Sequence, residues 1–126
     1  MSRTFNINLV LSIVLVLSHQ SAFAANKYGA IAYSSSTGAH GYSYNYKNQY
    51  SAKRRAINLC RIRASKKDCK VIVGFKNGCG ALAKGYNGKF GFGSGVQKTV
   101  AKRHALNVCS RYTNRCRVIR TVCTNR

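Results

Sequence analysis

The chain contains no proline and a single acidic side chain, Asp68, and none of its apolar runs is long. Each absence narrows the possibilities. Without proline, turns fall to glycine. One carboxylate excludes the two-carboxylate chemistry of glycosidases and a calcium site built from carboxylates. A Ser-His-Asp arrangement would depend on Asp68 alone. The longest apolar stretch, Leu9 to Leu17, has nine residues, and a membrane-spanning helix needs roughly 18 or more.

That stretch has another reading. Arg3 precedes it, and Ala22-Phe23-Ala24 supplies small residues where a signal peptidase cuts, so residues 1–24 are expected to be a cleavable signal peptide. Removing 24 of 126 residues leaves 102, the size of one domain with a modest core. Export to the periplasm or beyond is the expected localisation. Lys and Arg number 22, for a net charge of +21, and loss of Arg3 with the signal takes this to +20. Such a surface repels itself and attracts polyanions. An anionic macromolecule or membrane surface is therefore the expected partner, and no cofactor is expected.

The six cysteines, Cys60, Cys69, Cys79, Cys109, Cys116 and Cys123, all follow the signal segment. An even count in a small exported chain reads as a disulfide framework. No Cys-x₂₋₄-Cys pair of the kind zinc sites use is present, and no metal site is expected.

The chain from about 28 to 123 carries one pattern twice (about 28–75 and 79–123). Ala30-Ile31-Ala32 is answered by Ala81-Leu82-Ala83, and Gly38-Ala39-His40-Gly41-Tyr42 by Gly88-Lys89-Phe90-Gly91-Phe92. The segment from Ala52 to Cys60 is answered by that from Ala101 to Cys109, and Cys69-Lys70-Val71-Ile72 by Cys116-Arg117-Val118-Ile119. Each copy reads as strand, strand, helix, strand. Short Tyr-, Phe-, Ile- and Val-rich segments between Gly and Ser predict strands. Ala52, Ala56, Leu59 and Cys60, and likewise Ala101, Ala105, Val108 and Cys109, fall on one helical face. The expected fold is a small disulfide-stapled α+β domain with two helices on a mostly antiparallel sheet. The repeat also suggests the cysteine pairing, because equivalent positions should pair equivalently. This gives Cys60–Cys69 and Cys109–Cys116, and leaves Cys79–Cys123.

Tyr28-Gly29-Ala30-Ile31-Ala32, Gly41-Tyr42-Ser43, the Ala-x₃-Ala-x₃-Cys helices and the run from Phe75 through Asn77-Gly78-Cys79-Gly80 to Ala83 resemble the exported bacterial family known as domain of unknown function 4189. The resemblance covers nearly all of the chain after the signal segment, with all six cysteines. It implies bacterial origin and export, and it brings no activity or catalytic residues.

Three groups of residues are candidates for function. Lys53, Arg54, Arg55, Lys102 and Arg103 are expected in the first turns of the two helices, where cations oppose the helix dipole. Free N–H groups there would join them in holding an anion. Tyr42, Tyr44 and Tyr46 form a period-two stripe flanked by Tyr28, Tyr33 and Tyr50, read as a packed sheet face in preference to a stacking platform for bases or sugars. His40 and His104 would serve a secreted nuclease only if the fold brings them together. The expected function is non-enzymatic binding of an anionic partner, possible roles being a secreted effector or envelope factor. A His40/His104 nuclease or toxin and a periplasmic immunity or inhibitor protein are the alternatives.

Overall fold

The computed structural model describes residues 25–125; the expected signal peptide, residues 1–24, lies outside the described residues. The order of elements repeats as the sequence predicts. The first copy contains β1 (Tyr28–Tyr33), β2 (His40–Tyr46), α1 (Gln49–Ala64) and β3 (Lys70–Lys76). The second contains β4 (Cys79–Lys84), β5 (Phe90–Gly95), α2 (Lys98–Tyr112) and β6 (Arg117–Cys123).

The expected α+β fold, with two helices on antiparallel sheet, is present, and the sheet is divided in two. Each copy folds its own three-stranded antiparallel sheet, in the orders β2-β1-β3 and β5-β4-β6. The reason lies in the central strands, which are apolar on both faces. Ala30 and Ala32 of β1 pack on Ala52, Ala56, Cys60 and Ala64 of α1. Ala81 and Ala83 of β4 pack on Ala101, Ala105 and Cys109 of α2. The alternate residues, Ile31 and Leu82, point the other way and join Tyr33, Val73, Phe75 and Val122 in a layer between the sheets. The result is four layers: helix, sheet, sheet, helix. Ile31 and Leu82 are fully buried, each worth about 1.5–3 kcal/mol of apolar burial. Across this layer β1 meets β4, β2 meets β6 and β3 meets β5, a pseudo-two-fold arrangement of the copies.

Small residues bring each helix against its sheet. Gly41 and Gly91 occupy equivalent places where strand and helix backbones almost touch. A Cβ on Gly41 would lie 2.9 Å from the Cys60 Cα, and one on Gly91 would lie 2.7 Å from the Cys109 Cα. The expected disulfides are all present: Cys60–Cys69, Cys109–Cys116 and Cys79–Cys123. The first two tie each helix end to the strand that follows. The third joins β4 to β6 at residues that face each other in the register.

Candidate functional site

The expected cations do not fall in the first turns of the two helices. α1 begins at Gln49, capped by Asn48, whose Oδ1 accepts from the Ser51 amide at 2.8 Å. α2 begins at Lys98. Lys53, Arg54, Arg55, Lys102 and Arg103 therefore sit on second turns, past the free N–H groups. The alanine period locates the buried face but not the first turn, which is set by Asn48 in one helix and has no side-chain cap in the other. Arg54 lies over the exposed Tyr50 ring at 5.6 Å. Arg55 lines a hollow beside β2 with Tyr42, Tyr44 and Tyr46.

The tyrosine stripe is interrupted. Asn45 adopts a positive φ of 62° at a break in the β1–β2 register, which turns Tyr46 toward the α1 core. Tyr28 packs there too, Tyr33 is buried, and Tyr44 and Tyr50 stay exposed.

Three cations converge elsewhere, around His40, and the repeat explains how the cluster is built. Tyr33 and Lys84 are equivalent positions on the two central strands. The Tyr33 hydroxyl donates to the Gly88 carbonyl at 3.0 Å, and its ring lies 4.6 Å from Phe90. Lys84 makes the corresponding reach toward the Gly38 turn, beside His40, the counterpart of Phe90. An aromatic pair that bridges the two copies thus becomes, at the pseudo-symmetric place, an ammonium beside an imidazole.

Two arginines complete the cluster. Arg120, on β6, donates from Nε to His40 Nε2 at 3.0 Å, and its guanidinium lies 4.4 Å from the Tyr42 ring centre. Arg63, near the end of α1, donates to the His40 carbonyl at 3.2 Å and lies 5.6 Å from the same ring. A guanidinium stacked on an aromatic face keeps its N–H edge free for an anion. Because His40 Nε2 accepts, its ring proton sits on Nδ1, and the residue positions Arg120. Burial, then the charges of Arg120, Arg63 and Lys84, lower the His40 pKa to about 4, so at neutral pH it is an uncharged acceptor.

Every charge acting on His40 is positive. Asp68 is held elsewhere, accepting from Ser34 Oγ at 2.7 Å and from the Ser36 amide at 3.2 Å. Those hydrogen bonds, Ser34 first, lower its pKa to about 2. His104 is not part of the cluster. It lies on α2 with Nδ1 3.0 Å from the Ser94 carbonyl, at the β5 edge. Since β2 packs over β6 and β5 over β3, the two histidines occupy opposite edges of the sandwich. The fold does not bring them together as a catalytic pair.

Arg120, Arg63 and Lys84 are the residues that sequence reasoning missed. A signal for Arg120 was present: it aligns with Val73, facing Leu82 where Val73 faces Ile31, so a cation replaces an inward valine.

Comparison with known proteins agrees with this architecture. A solved structure, the NMR structure of Rv1813c from Mycobacterium tuberculosis, is similar over 83% of this chain and 80% of its own, with a TM-score of 0.58 and 27% identity. Protein Rv1269c of Mycobacterium tuberculosis (strain ATCC 25618 / H37Rv) and Protein Mb1300c of Mycobacterium bovis are each 40% identical over 73 residues. These matches cover 56% of this chain and 54% of each relative, so the chain spans about half the length of the curated relatives it matches. The family model described as Domain of unknown function (DUF4189) matches residues 28–123, nearly the whole described chain, and the chain belongs to that family.

Proposed function

We propose that this is a non-enzymatic, exported bacterial protein that binds an anionic partner through the cluster of Arg63, Arg120 and Lys84 around Tyr42 and His40. The observation that carries the reading is the pair of guanidiniums on one tyrosine ring, with an ammonium nearby and the chain's single carboxylate engaged elsewhere. Holding like charges this close costs stability, and a bound anion offsets that cost. Envelope polymers bearing phosphate, acidic lipid surfaces, nucleic acid and acidic proteins all present such anions. Roles as a secreted effector or an envelope-associated factor both follow from that chemistry. Export is supported by the signal-like N-terminus and by three disulfides, which persist in oxidising compartments.

The test compares charge-matched variants. Arg63→Gln with Arg120→Gln, Lys53→Gln with Arg54→Gln and Lys66→Gln with Lys67→Gln each remove two charges. With a DNA duplex as probe, all three should lower the salt slope by a similar amount, about 0.9 per lost phosphate contact. Only the first pair should also lose affinity extrapolated to high salt, where diffuse attraction is screened. Equal losses from all three pairs would mean a diffuse basic surface and no site.

A further inference from the structure

The second copy builds the equivalent place from apolar groups. Phe90, Phe92, Val108, Tyr112 and Val73 stand where the first copy has His40, Tyr42, Leu59, Arg63 and Arg120. In the first copy two guanidiniums cover the Tyr42 ring. Phe92 is left 40% exposed and Tyr112 63% exposed. Two adjoining hollows, of about 370 and 390 Å³, share Phe92 and Val108 as a common wall. One is lined by Phe90, Phe92, Val108 and Tyr112, with Lys89 at its rim. The other carries Ser94, His104, Asn107 and Arg111. Together they form a groove between β5 and α2 with an apolar half and a cationic, hydrogen-bonding half.

Charge decides what covers this groove. A second copy of the chain is repelled by a net charge of the same sign, +21 for the full sequence, and a cationic partner likewise. The net charge therefore favours an anionic occupant, and the lining favours one that also presents an apolar length to Phe92, Val108 and Tyr112. We infer that the β5–α2 groove binds a long-chain carboxylate, its alkyl chain on Phe92, Val108 and Tyr112, with Lys89 at their rim, and its head at Arg111 in the hydrogen-bonding half. This site is separate from the cluster around Tyr42, at the opposite edge of the sandwich, and does not depend on it.

The probe is laurate below its micellar concentration, followed by amide chemical shifts. Laurate should shift the amides of Phe92, Val108 and Tyr112 saturably, and dodecyltrimethylammonium, of equal chain length and opposite charge, should not. Phe92→Ser with Tyr112→Ser should weaken laurate about tenfold, the equivalent of about 1.4 kcal/mol. Lys89→Gln with Arg111→Gln should weaken it severalfold and remove the preference over the cationic amphiphile. Arg63→Gln with Arg120→Gln should leave laurate binding unchanged, so the two sites fail or succeed separately. All the substituted groove residues are exposed, and melting curves confirm that the variants fold. Failure of laurate to saturate would overturn the inference. So would affinity unaffected by losing both aromatic rings, or an acidic peptide shifting the same amides where laurate does not.

Discussion

Substituting alanine for Gly41 or Gly91 probes whether each helix lies as close to its sheet as the four-layer arrangement requires. A Cβ on Gly91 would stand 2.5 Å from the Ala105 carbonyl oxygen and 2.7 Å from the Cys109 Cα. The Cys109 amide nitrogen is closer still and ordinary contact begins near 3.4 Å, so relief needs a shift of roughly 1 Å or more in helix backbone, which no rotamer change can supply. Nor does the helix pivot freely, because Cys109 is held to Cys116. Overpacking of this kind costs about 1–3 kcal/mol, and a clash with backbone belongs at the upper end. With about 4–8 °C lost per kcal/mol in a domain of this size, a fall of roughly 12 °C or more in melting temperature is expected. Gly41→Ala should behave alike, since its Cβ meets Cys60 backbone in the same way. Gly88→Ala is the control. Its φ of 72° is strained for alanine, yet nothing lies within 4 Å, so it should cost only about 1–2 kcal/mol. Thermal unfolding by circular dichroism reads all three. If Gly41→Ala and Gly91→Ala melt no lower than Gly88→Ala, the close approach of helix to strand is wrong.

The disulfides should contribute unequally. Cys79–Cys123 spans 44 residues where the other two span 9 and 7, and loop entropy assigns it about 4 kcal/mol against about 2.5 for each of the others. Removing it by paired Cys→Ala should lower the melting temperature most, and an equal or smaller loss would refute the ranking. For His40, a folded pKa near 4 lies below the ordinary value of 6.5. As pH falls through that window the unfolded chain takes up a proton that the folded chain refuses, so His40 lowers stability progressively between pH 6.5 and 4. Its ring protons should titrate near pH 4 by NMR, and His40→Asn should reduce the pH slope of stability; a midpoint near 6.5 would remove the imidazole from the cluster.

How much of this was legible in the sequence depended on the range of the contacts involved. Alanines at helical spacing located both helices, and the repeat turned six cysteines into three pairs. The first follows from a pattern local to one copy and the second from matching the two copies position by position. The division into two sheets was written in Ala30-Ile31-Ala32 and Ala81-Leu82-Ala83, since strands apolar on both faces need cover on both. Reading those strands as one sheet under two helices left Ile31 and Leu82 without a second layer. The cluster was harder, because Arg120 meets His40 across 80 residues and no spacing rule connects them. The turn of Tyr46 to the other face depended on the left-handed conformation of Asn45, a residue as common in ordinary loops.

The pseudo-two-fold packing of the copies has a consequence for how such a molecule varies. A symmetric homodimer of half-length chains could present a similar sandwich, but every substitution would then appear on both sides of the axis. Within one chain that constraint is gone. The Cys60–Cys69 bridge lies within one half and the other two bridges within the second, so no disulfide fixes one sheet against the other. The shared apolar layer and the few hydrogen bonds across it must suit both. Each outer edge is free to drift by itself, which is how a single inherited groove comes to hold guanidiniums at Tyr42 and a bare phenyl ring at Phe92.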